Sequence, residues 1–231
     1  RLHVRSAAAC LAACLSLISA LPLFAANVRY DVVYVRAPRY GDATNTRWAE
    51  VFNPTFAEPG SDLMLLRADG SEEVLFAAGN GAVMDPTVSF DAKWVYFSYQ
   101  PDVRQSALNY QRRDASRGGA DIYKINVQTR QVIRLTTQVW TPPTGAAKWS
   151  PNHLSAAAPD QFYLGYGIFN TGPCPLPGGK VMFTSSRDGY LPNKSYTFPN
   201  FRLYIMDDDG SNVEPVGHLN VGSALHPTVL K

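Results

Sequence analysis

Residues 62–76 read DLMLLRADGSEEVLF, and the same design returns at 121–135 (DIYKINVQTRQVIRL) and 202–216 (RLYIMDDDGSNVEPV). Each begins as an alternating apolar run, passes a polar turn and ends in a second short run, which is the pattern of a β-hairpin. Asp69-Gly70 and Asp209-Gly210 supply the positive φ that such a turn needs. An aromatic and β-branched stretch of the kind that favours strands precedes every hairpin, at Tyr30 to Arg36, Trp94 to Tyr99 and Lys180 to Ser186. A further shared piece precedes the last two. Asp85-Pro86-Thr87 stands eight residues before Lys93, Gly172-Pro173-Cys174 stands eight before Lys180, and His226-Pro227-Thr228 opens another copy.

The unit is therefore strand A with its Pro-Thr or Pro-Cys, strand B, then the C–D hairpin. Four antiparallel strands repeated around an axis make the blades of a β-propeller. The expected fold is all-β, with about three four-stranded blades over residues 27–231 and no recognisable strand A in the first. Hairpin starts lie 59 and then 81 residues apart, so insertions are expected at 100–120, 137–172 and 187–200. Propellers have four to eight blades. Three make an open, incomplete arc, the missing strand A is expected beyond Lys231, and the sequence reads as a fragment of a longer frame. An arc with an unpaired strand edge at each end is expected to associate with other chains.

Composition agrees. The chain has 231 residues, 45% hydrophobic and 17% charged, with 17 Gly, 17 Pro, 12 Tyr and 11 Phe, which suits many short strands joined by turns and excludes disorder. A net charge of +2 argues against nucleic acid as a partner, because phosphate binding needs a concentrated positive surface. Residues 1–26 read differently: Arg1 and Arg5 precede an uncharged run, Ser6 to Ala26, that ends in small residues. That is an export signal, cut after Ala25 or Ala20, and implies a periplasmic or extracellular protein. Its rival is an uncleaved anchor, the one route to the membrane. Cys10 and Cys14 fall in this segment, so Cys174 is alone in the mature region and no internal disulfide forms.

The run Asp85 to Phe97 (DPTVSFDAKWVYF), followed by Asp121-Ile122-Tyr123 and Arg134-Leu135-Thr136, resembles the TolB-type propeller repeat. Phe90-Asp91-Ala92-Lys93 and Pro177-Gly178-Gly179-Lys180 resemble its Ser-Pro-Asp-Gly-Lys-like turn. More narrowly, Gly172 to Tyr190 and Arg202 to Pro227 are similar to propeller segments of hydrazine synthase alpha-subunit-like proteins. That resemblance implies an exported protein in which a propeller sits beside c-type haem. The sequence holds no Cys-x-x-Cys-His motif, so no cofactor is expected in this chain, and a c-type haem would belong only to a longer gene product.

Candidate chemistry is sparse. Cys174 stands where neighbouring copies carry Thr87 and Thr228, so a small strand-A filler competes with a ligand lining the central channel. His226 precedes the equivalent position in the next copy, and His153 lies in the insertion that leads into the blade carrying Cys174; Cys174 with His226 is the candidate metal pair, although no compact zinc spacing is present. Asp207-Asp208-Asp209-Gly210 reads as a hairpin turn rather than a calcium loop, since Ile205 occupies the first expected ligand position. Arg104, Arg112, Arg113 and Arg117 surround Tyr110 in one insertion, diluted by Asp102 and Asp114. Trp140, Trp149, Phe162, Tyr163, Tyr166 and Phe169 crowd the longest insertion, as though it packs over a propeller face or another domain. No hydrolase elbow, phosphate loop or His-Glu-x-x-His motif is present, and no catalytic residue is legible. Two readings follow: an exported propeller that binds a protein, a small ligand or further domains of its own chain through inserted loops, or the propeller portion of a haem-dependent oxidoreductase.

Overall fold

The structure is a computed structural model that describes residues 29–38, 57–103, 118–138, 167–188, 200–217 and 223–229. Among these residues, eleven strands form three antiparallel sheets and no helix occurs. The first sheet holds β1 (Val32–Arg36), β2 (Asp62–Leu66) and β3 (Glu72–Phe76). The second holds β4 (Ala82–Val88), β5 (Trp94–Gln100), β6 (Asp121–Asn126) and β7 (Val132–Arg134). The third holds β8 (Asn170–Leu176), β9 (Lys180–Ser185), β10 (Arg202–Asp207) and β11 (Glu214–Pro215). Strands pair in chain order within each sheet, so these are propeller blades, the first with strands B, C and D and the others with all four.

One detail agrees with the sequence reading and one departs from it. Residues 223–229, the start of the next copy, are extended without a strand partner among the described residues. The match between Lys93 and Lys180 is off by one. Lys180 opens β9 opposite Asp207 as Trp94 opens β5 opposite Asn126, because the third blade's A–B turn is one residue shorter. The register of strand A survives this: Thr87 pairs with Tyr96, and Cys174 pairs with Met182 at the equivalent position.

The core lies between blades. Val95 and Phe97 on β5 join Leu63, Leu65 and Leu75 of the first blade, while Tyr96 on the same strand joins Val181, Phe183, Tyr204 and Met206 of the third. A middle blade is thus buried on both faces, which is why β5 reads as a nearly unbroken apolar run. A third cluster, with Met84, Ala120, Phe169 and Phe201, fills the inner end near the long connections.

The Asp-Gly-Ser turns are built alike. Gly70 and Gly210 have φ of 86° and 88°, and Asp69 and Asp209 each accept bonds from the backbone N–H and hydroxyl of Ser71 and Ser211. The second blade uses a longer turn in which Arg130 takes the positive φ. Gly210 has a second duty, because a Cβ there would meet the Leu135 carbonyl oxygen of the neighbouring blade at 2.3 Å. Gly178 has φ of 81° but open space around it. Gly210→Ala is therefore expected to cost more than Gly178→Ala, which carries only the left-handed strain of about 1–3 kcal/mol. Urea midpoints of the two variants check this, and equal losses would show that the close approach to Leu135 is not tight.

Candidate functional site

Strand A is the innermost strand of a blade, and one peculiarity recurs in all three copies. Asp85, Gly172 and His226, each followed by proline, have φ of 53°, 60° and 50°. In β4 and β8 this residue and its proline form a bulge, between Met84 and Thr87 and between Thr171 and Cys174. The proline has no N–H to leave unpaired there, and the bulge bends the strand. The three equivalent positions then come together. One carboxylate oxygen of Asp85 accepts the Gly172 N–H at 3.0 Å and the Ser98 hydroxyl at 3.3 Å, and the other lies 3.4 Å from His226 Nδ1. Thr87 Oγ1 donates to the Pro173 carbonyl at 2.8 Å, which ties β4 to β8.

The Asp85 side chain is 14% exposed and that of His226 42%. Burial pushes the Asp85 carboxyl above its ordinary range; the His226 charge and the Gly172 and Ser98 bonds pull the other way. Burial likewise pushes the Cys174 thiol up, opposed by the Val229 backbone. A neutral, buried thiol is a poor nucleophile and a poor ligand. Cys174 and His226 do share one seam, since a Cβ on Gly172 would approach the His226 Cα at 3.4 Å. Among the described residues no group of three or more His, Cys, Asp or Glu converges as a metal site. Asp85 is the residue that sequence reasoning passed over, because nothing in the letters Asp-Pro-Thr announces that its carboxylate turns to the neighbouring blade. His153, the Arg104–Arg117 cluster and the aromatic insertion apart from Phe169 lie outside the described residues, as does the 1–26 segment.

A second concavity lies between blades at the opposite end. A cleft of about 560 Å³ is lined by Phe90, Trp94 and Tyr96 of one blade and by Pro175, Pro177 and Asp208 of the next. Asp208 bonds the Tyr96 hydroxyl and accepts from Lys124 Nζ at 2.8 Å. That ammonium also sits 4.9 Å from the Trp94 ring centre. The Asp207–Asp209 run is thus used within the fold: Asp207 pairs with Lys180, Asp208 clasps the neighbouring blade and Asp209 closes the turn.

Comparison with known proteins adds likeness of fold. No protein-family model matches the chain, and no curated protein matches it. A TolB protein of Agrobacterium tumefaciens is 23% identical over 67% of this chain and 40% of that one, with a TM-score of 0.40. A chain of a nidogen/laminin complex is 9% identical over 72% and 62%, at 0.33, and hydrazine synthase of Kuenenia stuttgartiensis 13% identical over 81% and 31%, at 0.32. This chain therefore spans well under half the length of the TolB and hydrazine synthase structures it matches.

The raised Asp85 carboxyl has a signed consequence. Below pH 3.8 the group is protonated in both the folded and unfolded chain. Between 3.8 and its higher folded value only the unfolded chain ionises, so this residue's contribution falls as pH rises through that window and is constant above it. Asp69, Asp91, Asp207 and Asp209, all held below the usual range, slope the opposite way. The readout is therefore the difference between wild type and Asp85→Asn. Urea midpoints from pH 3 to 8 should show the variant gaining relative stability as pH rises from about 4, and parallel profiles would show that Asp85 titrates normally.

Proposed function

We propose that this chain is an exported, non-catalytic propeller that binds a protein through the face bearing its long connections. The observation that carries this is an asymmetry of loop length. The A–B and C–D turns are short: Arg67 to Ser71, Asn126 to Gln131, Ser89 to Trp94 and Asp207 to Ser211 each close within a few residues. The connections from Arg36 to Asp62, Gln100 to Asp121, Arg134 to Asn170 and Ser185 to Arg202 carry nearly all the remaining length. In an up-and-down blade, B–C and D–A connections emerge at one end of the sheet, so every long connection springs from the same face. Binding residues concentrate on loops held by a rigid scaffold. Export rests on the 1–26 segment, and among the described residues no helix is long and apolar enough to cross a membrane. The alternative, the propeller portion of a haem-dependent oxidoreductase, rests on the resemblance of Gly172 to Tyr190 and Arg202 to Pro227 alone.

Photo-crosslinking amino acids placed at Gly118 and Gln138, beside the long connections, test the docking face against Phe90 and Thr129 at the opposite end. Crosslinks to one protein partner in the native host are expected from the first pair alone. Crosslinks from the second pair alone, or from neither, would overturn the reading.

A further inference from the structure

The inter-blade cleft at the turn end has a lining that the fold itself does not require. Phe90, Trp94 and Tyr96 of the second blade face Pro175, Leu176 and Pro177 of the third. Its volume of about 560 Å³ lies within the range of small-molecule sites, about 300–1,000 Å³. Phe90 is 67% exposed at the tip of the A–B turn. The turn does not need it. Asp91 Oδ1 accepts the Ser89 hydroxyl at 2.7 Å and the Lys93 N–H at 3.1 Å, and Ser89 Oγ accepts the Trp94 N–H at 3.0 Å. The third blade makes its own A–B turn with Pro177 and two glycines. A large apolar ring held in water beside a cleft marks a binding surface.

The charges around the cleft are already balanced. Asp208 is paired with Lys124 at 2.8 Å, Asp91 with Lys93 at 3.4 Å and Lys180 with Asp207. No uncompensated carboxylate is left to draw a cation, and Trp94 already holds the Lys124 ammonium 4.9 Å from its ring centre. What stays open at the rim is acceptor capacity. The Asp91 and Asp208 side chains are 52% and 38% exposed, and a carboxylate has about four lone-pair sites. A proline-rich segment, the peptide class that docks on aromatic grooves, brings carbonyl acceptors and lacks the N–H of every proline, so it leaves these carboxylates unanswered. The occupant that fits is neutral, offers hydroxyl donors and carries flat C–H faces.

We propose that this cleft is a carbohydrate site, in which a neutral pyranose packs its C–H face on Phe90 and Trp94 and directs hydroxyls to the Asp91 and Asp208 carboxylates. The hydrogens of such a face carry partial positive charge and meet the negative face of an aromatic ring, while removal of ring carbons from water drives the contact. Lys124, 8% exposed, fixes the platform, binding Asp208 of one wall while its ammonium sits against Trp94 of the other. Gly178 and Gly179 form part of the opposite lip and border open space. The site lies at the turn end of the blades, away from the long connections, and is separate from the protein-docking face.

Chitohexaose, cellohexaose and maltohexaose, which differ in linkage and N-acetylation, are the probes. Calorimetric titration into the full-length protein is expected to show binding of at least one, and saturation-transfer NMR should place its ring C–H protons against aromatic side chains. Phe90→Ala should weaken that binding about tenfold with an unchanged urea midpoint. Phe90→Tyr should retain it, and Thr129→Ala, on a different turn, should leave it as it is. No binding by any of the three sugars, binding indifferent to Phe90→Ala, or tighter binding of a decaproline peptide or of tetramethylammonium would overturn the proposal. None of these outcomes bears on whether the long-connection face binds a protein.

Discussion

Asp121 holds the arrangement together. Its side chain is 7% exposed at the start of β6, and a carboxylate so placed is tolerable only when its lone pairs are taken. They are taken by Thr136 Oγ1 at 2.7 Å, the Gln138 N–H at 3.2 Å, Asn170 Nδ2 at 2.9 Å and Arg134 Nη2 at 2.5 Å. Three pieces of chain are tied by one group: the start of strand C, the exit of strand D and strand A of the next blade. Asn170 extends the tie, accepting from Ser185 at 2.6 Å and from Arg187, whose guanidinium covers the Phe183 and Tyr204 rings. Removing Asp121 would strand several buried donors at once, so the network acts as a unit.

The repeat preserves this connection more faithfully than the residue. Asp62, at the same place in the first blade, accepts the Ala78 N–H at 2.8 Å where its strand D leaves. The third blade has Arg202 there instead, and it reverses the polarity, donating to the Gly217 carbonyl at 3.2 Å and pairing with the buried Asp188. In each blade the first residue of strand C clasps the chain as it departs for the next. That is the physical content of the Asp-Ile-Tyr signature.

No blade buries its faces alone. Each contributes a sheet about one side chain deep, and the core exists only where two sheets meet, as in other repeat architectures built from nearest-neighbour contacts. The middle blade is therefore complete, and the outer ones keep half-buried aliphatic and aromatic rows. Polar side chains join the blades along the seams: Asp85 with Gly172 at the inner strands, Asp208 with Tyr96 and Lys124 at the turns, Asp121 with Asn170 at the long-connection end. A rigid frame of this kind leaves function to the loops it holds.

Hydrophobic alternation, Asp-Gly turns and the recurring X-Pro-Thr or X-Pro-Cys determined the strands, their order and the blade count, because these are local properties: period-two burial, positive φ at glycine and the absent N–H of proline act within a few residues. The equivalence of Cys174 with Thr87 was legible for the same reason, although the spacing to Lys180 that suggested it is one residue out of register with Lys93. What only the tertiary structure decided is which side chains cross from blade to blade. Asp85 turns to Gly172 and His226, Asp208 reaches back to Lys124, and Gly210 must lack a side chain because of Leu135. These partners lie from about 75 to 141 residues apart in the chain, and no local pattern encodes them; they arise from the face-to-face packing of successive blades.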